Sequence, residues 1–314
     1  MKATDDKRIV IGIGELLWDR LPGGKKIGGA PANFVHHVEQ FGLAACAVSA
    51  LGDDAEGREL RDTMQALGLN AEAATVGYPT GSVDVTSNAA GVPTYNIIEN
   101  VAWDHIPFTD RLAALAKRAS AVCFGTLAQR SAESRETIRR FLDATPADAL
   151  RIFDINLRQH FYNKEIVDDS LRRCNVLKVS DEEFPAMREM LGLRSDDLRD
   201  DCRELIRRYD LRMLILTCGA KGSYVFATGK EEPSFAAALK VDVADTVGAG
   251  DSFTATFTAS LLKGASIEEA HRLASEVSAY VCTCCGAMPR LPLRLLAPAF
   301  SCSSSGLMNG IMRL

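Results

Sequence analysis

The chain has 314 residues, 47% hydrophobic and 25% charged, and its 36 lysines and arginines against 41 aspartates and glutamates leave a net charge of −5. That length allows one large α/β domain or two smaller ones, the ordinary composition excludes a disordered chain, and the acidic balance excludes an electrostatic footprint for nucleic acid. No apolar run reaches membrane-spanning length, and MKATDDKRIV places acids before a short apolar run where a signal peptide would have its core, so a cytoplasmic protein is expected. Nine scattered cysteines, several inside apolar runs, fit reduced core thiols. The one CxxC, Cys282 and Cys285, lacks the second pair or the histidines of a zinc site and reads as helix packing.

In chain order, residues 8–14 (RIVIGIG) read as a buried first strand. Gly12-Ile13-Gly14 lacks the third glycine of a dinucleotide fingerprint, because Leu17 occupies its place, which counts against a Rossmann dehydrogenase. A polar turn at 22–26 leads to GGAPAN at 28–33, where Pro31 suits a first helical turn and Phe34, Val38 and Phe41 form an inner face as far as Gly42. A strand at 45–51, a turn at 52–54 and a helix at 55–67 come next. Residues 83–86 and 94–98 alternate polar with apolar around 88–93, a hairpin with one wet face that could join 15–27 in a small sheet of its own. From 109 the patterns alternate: helices 109–118, 132–144, 163–173, 181–191 and 196–209, with strands at 121–125, 151–156, 175–179 and 213–217. Such βα repetition implies a mostly parallel sheet with helices on both faces and ligands at the carboxyl ends of its strands.

Residues 245–251 (DTVGAGD) precede an apolar helical run, 252–263, in which Phe253, Phe257 and Leu261 mark a core-facing stripe ending at Gly264. Two glycines let the backbone approach a ligand, and the free amides of the first helical turn make an anion site. Asp251 stands where the helix dipole favours an ionised carboxylate by ~0.3–1 kcal/mol, and it could take a proton from an attacking hydroxyl. The spacing alone equally allows a plain N-cap. A last helix is expected over 267–285, and the tail from 291 to 314 carries no capped element, with a short helix against the body as the alternative.

DTVGAGDSF closely resembles the C-terminal signature of the ribokinase-like (PfkB) sugar kinases, and GELLWD, GGAPAN and a helix ending in FG resemble their N-terminal signature. The resemblance spans about residues 8–290 and is most like bacterial fructokinases. It implies that Asp251 is the catalytic base and that the Gly248, Ala249 and Gly250 amides form the anion hole. It also implies that Asp19, Gly28, Gly29 and Asn33 hold the sugar. The AWD triplet brings in Trp103 as a substrate contact, or else as an ordinary core aromatic. Residues 154–158 (DINLR) match the family's DxNxR, placing Asn156 and Arg158 at the phosphates, with Arg158 stabilising the transferring group. Residues 178–183 (KVSDEE) resemble KxNxxE, which puts Lys178, Ser180 and Glu183 near the nucleotide, Glu183 toward magnesium through water. Ser180 replaces the family's asparagine there, and an acidic first helical turn is the alternative reading of 181–183. Thr217, Gly219 and Gly222 resemble the LTxGxxG turn of the nucleotide site, and Gly286 opens a GAxP element beside adenine. The resemblance thus implies a ribokinase-like domain over 1–290 with a β lid from about 15–27 and 82–104, and a tail at 291–314. The expected reaction transfers the γ-phosphoryl group of ATP, with Mg2+, to a hydroxyl of a monosaccharide. Fructose leads, ahead of ribose and 2-keto-3-deoxygluconate. The resemblance also admits a monovalent cation beside the loop and a homodimer through the lid, and implies no nucleic-acid or membrane partner. A catalytically silent sugar-binding regulator on the same scaffold is the non-enzymatic alternative, and a nicotinamide dehydrogenase the third.

Overall fold

The computed structural model describes residues 8–21, 23–87 and 93–301. Strand β1 (Ile9–Ile13) is buried on both faces, with Ile9, Ile11 and Ile13 in one core and Val10 in another, as two-sided burial requires of a central strand. The chain continues through β2 (Leu17–Leu21), β3 (Gly24–Gly28), α1 (Ala30–Gln40), β4 (Ala45–Gly52), α2 (Ala55–Ala66), β5 (Ala71–Val76), β6 (Gly81–Ser87) and β7 (Pro93–Ile97). After a 3-10 turn at Ala102–His105 come α3 (Asp110–Ala116), β8 (Ala119–Phe124), a second 3-10 turn at Leu127–Arg130, α4 (Ala132–Ala144), β9 (Leu150–Asp154), α5 (Lys164–Arg173) and β10 (Val176–Ser180). The last third holds α6 (Phe184–Leu191), α7 (Leu198–Tyr209), β11 (Met213–Thr217), β12 (Ser223–Ala227), β13 (Ser234–Ala236), α8 (Ala249–Leu262), α9 (Ile267–Cys282) and α10 (Leu293–Ser301).

Nine strands form the main sheet in the order β13-β12-β11-β10-β9-β8-β1-β4-β5, parallel except where β12 and β13 run antiparallel at one edge. Phe34, Val38, Leu60, Phe253, Phe257 and Ala274 cover one face from α1, α2, α8 and α9. Leu112, Phe141, Leu171, Met187 and Leu205 cover the other from α3 to α7. This is the expected mostly parallel, doubly covered sheet. Strand order reverses between β1 and β8, and in such sheets a crevice opens at that point beyond the carboxyl ends. A second sheet, β3-β2-β6-β7, stands apart with antiparallel outer pairs and a parallel β2–β6 junction. It joins the two segments expected to pair; the hairpin tip at 88–92 lies outside the described residues.

Several boundaries differ from expectation, each for a local reason. α6 starts at Phe184, because Ser180 and Glu183 exchange hydrogen bonds across a turn that occupies 181–183. α9 stops at Cys282, where the Thr283 and Cys284 amides bond back only three residues. Cys285 is therefore exposed beyond the helix and does not pack within it, which corrects that reading of the CxxC. Cys46, Cys174, Cys202 and Cys218 are buried free thiols as expected, and burial pushes Cys46 and Cys174 up to about 12. Cys302 lies outside the described residues. The start of the tail forms α10, with Leu291 and Leu295 packed on Leu273, Val277 and Val281 of α9. Among the described residues no helix is long and apolar enough to cross a membrane.

Candidate active site

α8 begins earlier than its apolar stripe suggested. Gly248 caps it at φ 78°, so Ala249, Gly250 and Asp251 form its first turn. A Cβ on Gly248 would lie 2.5 Å from the Ala287 Cβ and 2.6 Å from its Cα, so both the conformation and the fit demand glycine. The Gly250 and Asp251 amides in that turn lack intrahelical acceptors. Ala287 is itself fixed from α1, since its carbonyl accepts a hydrogen bond from His37 Nε2 at 2.9 Å, and Gln40 bonds the Pro289 carbonyl at 3.2 Å. Burial lowers the His37 ring to about 4, which keeps it neutral.

Asp251 faces α1. Its Oδ2 accepts a hydrogen bond from Asn33 Nδ2 at 2.7 Å, joining residues 218 positions apart. Burial, then the Asp154 charge, raise the Asp251 carboxyl to about 6, against the lowering pull of Asn33, Lys178 and Arg158. The Asn33 Oδ1 is buried and makes no hydrogen bond among the described residues, leaving an acceptor beside the carboxylate. A small enclosed cavity of ≈20 Å³ lies there, walled by Glu15, Pro31, Asp154, Asn156, Asp251 and Thr254 among others. It sits where β1, β8 and β9 end, at the reversal of strand order.

Beneath this turn lies a buried ion pair. Lys178 Nζ on β10 bonds Asp154 Oδ1 on β9 at 3.0 Å, and Thr254 Oγ1, one turn into α8, donates to Asp154 Oδ2 and to the Gly250 carbonyl, both at 3.0 Å. Burial alone would lower the Lys178 ammonium, but Asp154 and Glu183 more than offset it, so it stays charged. A Cβ on Gly250 would come 3.0 Å from Lys178 Nζ, so the cation lies directly against the first turn of α8.

The loop after β9 carries Asn156, left-handed at φ 45°, and Arg158, exposed, whose Nη1 bonds the Leu157 carbonyl at 3.0 Å. Arg158 acts on both Glu15 and Asp251 through its charge. Glu183 holds this loop to β10: its Oε1 accepts from the Leu157 amide at 2.8 Å, and its Oε2 from the Ser180 amide and hydroxyl at 2.9 and 2.8 Å. Ser180 thus keeps the corner closed with its own hydroxyl. Thr217 is its register partner on β11, followed by Gly219 and Gly222, so these residues extend the same rim away from the cavity. Gly286 donates to Asp245 Oδ2 at 3.1 Å and lies close to Lys26 of β3. Among the described residues no group of three or more His, Cys, Asp or Glu side chains could hold a metal ion.

Gly28 and Gly29 are places of close approach. A Cβ would meet Asp19 Oδ2 at 2.2 Å on Gly28 and the Glu15 carbonyl at 2.3 Å on Gly29. Asp19 is raised to about 6 by burial; it faces Gly28 and does not line the cavity around Asp251. Trp103, expected as a substrate contact, is instead fully buried against Gly81 with Arg130 stacked on its ring at 3.9 Å, the core alternative. Sequence reasoning missed Glu15 and Thr254 and gave Asp154 no role. Burial raises Glu15 to about 7, and its Oε1 accepts the Ala30 amide at 3.3 Å at the start of α1. A glutamate directly after a buried glycine-ended strand was the available signal.

Residues 23–294 match the family model described as pfkB family carbohydrate kinase. The chain is 28% identical to probable fructokinase-4 of Arabidopsis thaliana over 92% of this chain and 95% of that one. It is 27% identical to an ATP-dependent 6-phosphofructokinase of Thermoanaerobacterium thermosaccharolyticum over 92% of both. In fold it is similar to the crystal structure of a fructokinase with bound ATP from Xylella fastidiosa, with a TM-score of 0.78 at 20% identity over 93% of this chain and 98% of that one.

Proposed function

From the premise that the chain belongs to the pfkB family of carbohydrate kinases, we propose that it transfers the γ-phosphoryl group of ATP to a hydroxyl of fructose. The observation that supports this reading is the 2.7 Å bond between Asn33, expected to hold the sugar, and Asp251, the expected base, which itself lines the cavity at the strand ends. Asp251, ionised at neutral pH yet raised to about 6, is suited to take the acceptor's proton as the hydroxyl attacks phosphorus. The amides of Gly250 and Asp251, backed by Lys178, offer fixed positive potential to the oxygens of the transferring group, and Arg158 reaches the same charge from the opposite loop. Glu183 would meet a nucleotide-bound magnesium ion, whose chemistry would be charge neutralisation, through water, its carboxylate being already held by the Leu157 amide and by the Ser180 amide and hydroxyl.

Fructose is favoured by the GELLWD and GGAPAN motifs and by the fructokinase relatives, while the phosphofructokinase relative makes fructose 6-phosphate the second reading. ADP release measured with fructose, ribose, 2-keto-3-deoxygluconate and fructose 6-phosphate separates these. Turnover fastest on fructose and lost by ~10²–10⁴-fold in Asp251→Asn is expected. No ADP release with any sugar would leave a silent sugar-binding protein, and near-normal turnover in Asp251→Asn would remove the base.

A further inference from the structure

A second cleft, of ≈370 Å³, opens beside the loop that carries Arg158 and shares no lining residue with the cavity around Asp251. That volume falls within the ~300–1,000 Å³ of small-molecule sites. Arg130 lines it. Its side chain is 7% exposed and lies between the rings of Trp103, at 3.9 Å, and Phe161, at 4.5 Å. Nε and Nη2 are spent on the two Asp104 oxygens at 2.8 Å, and Nη2 also on the Ile98 carbonyl at 2.6 Å. Nη1 is buried and has no acceptor among the described residues. Leaving such a donor unmet costs ~1–3 kcal/mol, which a ligand oxygen would relieve.

Two helices begin at the same cleft. α4 starts after Ser131, whose hydroxyl caps nothing, and α5 after Asn163, whose side chain takes only the Ile166 amide, at 2.9 Å. Each start carries unmet amides and roughly half a positive charge. Tyr162 also lines the cleft. Glu99 and Asn100 also line the cleft and supply acceptors, although Asn100 Oδ1 already holds His105 at 3.2 Å. Asp104 cancels the Arg130 charge, so attraction comes from donors and helix ends, and the Glu99 carboxylate would turn a phosphate toward them.

We infer that this cleft binds a small phosphorylated polyol, with the phosphate at Arg130, Ser131 and the start of α5 and the hydroxyls toward Glu99 and Asn100. The inference does not rest on the proposed function. Occupancy would be felt at Arg158, since the Phe161 amide donates to its carbonyl at 3.0 Å while the Phe161 ring carries Arg130.

The chain has two tryptophans, and Trp18→Phe leaves Trp103, stacked on Arg130, as the one reporter. Ribose 5-phosphate should then change its emission saturably, inorganic phosphate more weakly, and ribose not at all. Ser131→Asp keeps a residue that starts helices well while setting a carboxylate among the donors. It should weaken ribose 5-phosphate at least tenfold without lowering Tm. Calorimetric titration of the unsubstituted protein and of Ser131→Asp gives the same comparison without the tryptophan change. The inference is overturned if neither phosphate probe binds saturably, or if Ser131→Asp binds as its parent does, since a ligand held only in the cavity around Asp251 would be indifferent to residue 131.

Discussion

Asp251 must stay ionised to serve as a base, yet its surroundings oppose ionisation, and that conflict has two measurable consequences. Its carboxyl is raised to about 6 by burial and by Asp154, so kcat/KM for sugar phosphorylation should fall on the acid side with a limb near pH 6. A limb near pH 4 would mean that the free enzyme leaves this carboxylate solvated. The second consequence is on stability. Because the folded value lies above the ordinary 3.8, the contribution of this carboxyl to folding is fully present below pH 4 and is lost as pH rises through 6. Asp251→Asn should therefore melt higher than its parent at pH 8, with the gap closing as pH falls from 6 toward 4. Inactive and more stable is the expected pairing for a strained functional group. At this scale the sequence was readable where a contiguous motif fixes a side chain's place, as the turn before α8 does for Asp251 and the start of α1 for Asn33. It was silent on Thr254, whose role depends on Asp154 100 positions earlier, and it left Trp103 open between substrate contact and core aromatic, because its burial depends on Arg130 and Gly81. Such meetings are set by strand order, which no local pattern records.

The first turn of α8 separates two kinds of glycine, and that difference is testable. Gly248 is left-handed and pressed on the backbone of Ala287, so Gly248→Ala should lose ~1–2 kcal/mol from conformation alone and more from the clash, read as a lowered Tm. Gly250 has ordinary helical geometry, and alanine is a better helix former there by ~1 kcal/mol, but its methyl would press on Lys178. Gly250→Ala should hold or raise Tm while cutting kcat by about 10²-fold through displacement of the anion turn. Equal loss of stability in both variants would refute the distinction. The ion pair below the turn makes a further demand on the element. Lys178→Met leaves Asp154 buried with only Thr254 as donor and should cost ~3–5 kcal/mol in denaturant unfolding. Element boundaries were legible wherever amphipathic spacing ran to the end, as in α4 over Ala132–Ala144 and β11 over Met213–Thr217. They were misjudged where side chains replaced the helical ladder, as Glu183 does before α6. The edge strand β5 went unrecognised because its run of alanines carries little hydrophobic signal.

Across the whole molecule the nine-stranded sheet is clamped between two helical layers, whereas the four-stranded sheet is held unevenly. Its β2–β3 half is tied to α2, through Trp18 Nε1 on the Glu56 carbonyl at 3.1 Å and Arg20 on the Glu56 carboxylate at 2.7 Å. Its β6–β7 half is joined to β2 through the parallel β2–β6 pairing and is anchored at its base, where the Thr80 amide donates to Asp54 at 2.8 Å and Val83 and Ile97 are buried in the main core. A sheet anchored at its base, with β7 as its outer strand, can flex toward its tip, and closing it over a sugar would exclude the water that competes for the phosphoryl group. Local opening costs less where fewer buried contacts hold an element, so amides of β6 and β7 should exchange with solvent faster than those of β8 to β10 in the free protein. Adding fructose with ADP should slow exchange over 81–87 and 93–97 by tenfold or more while β8 to β10 stay unchanged. Fructose alone should produce part of that effect, because a sugar held at Asp19 and Gly28 would touch β2 and β3 of the small sheet while a nucleotide at Thr217 and Gly219 would meet the opposite rim. Protection that appears only around Asp251, with β6 and β7 exchanging as before, would make the second sheet a fixed wall and not a lid, and the exclusion of water would then have to come from the loop that carries Arg158.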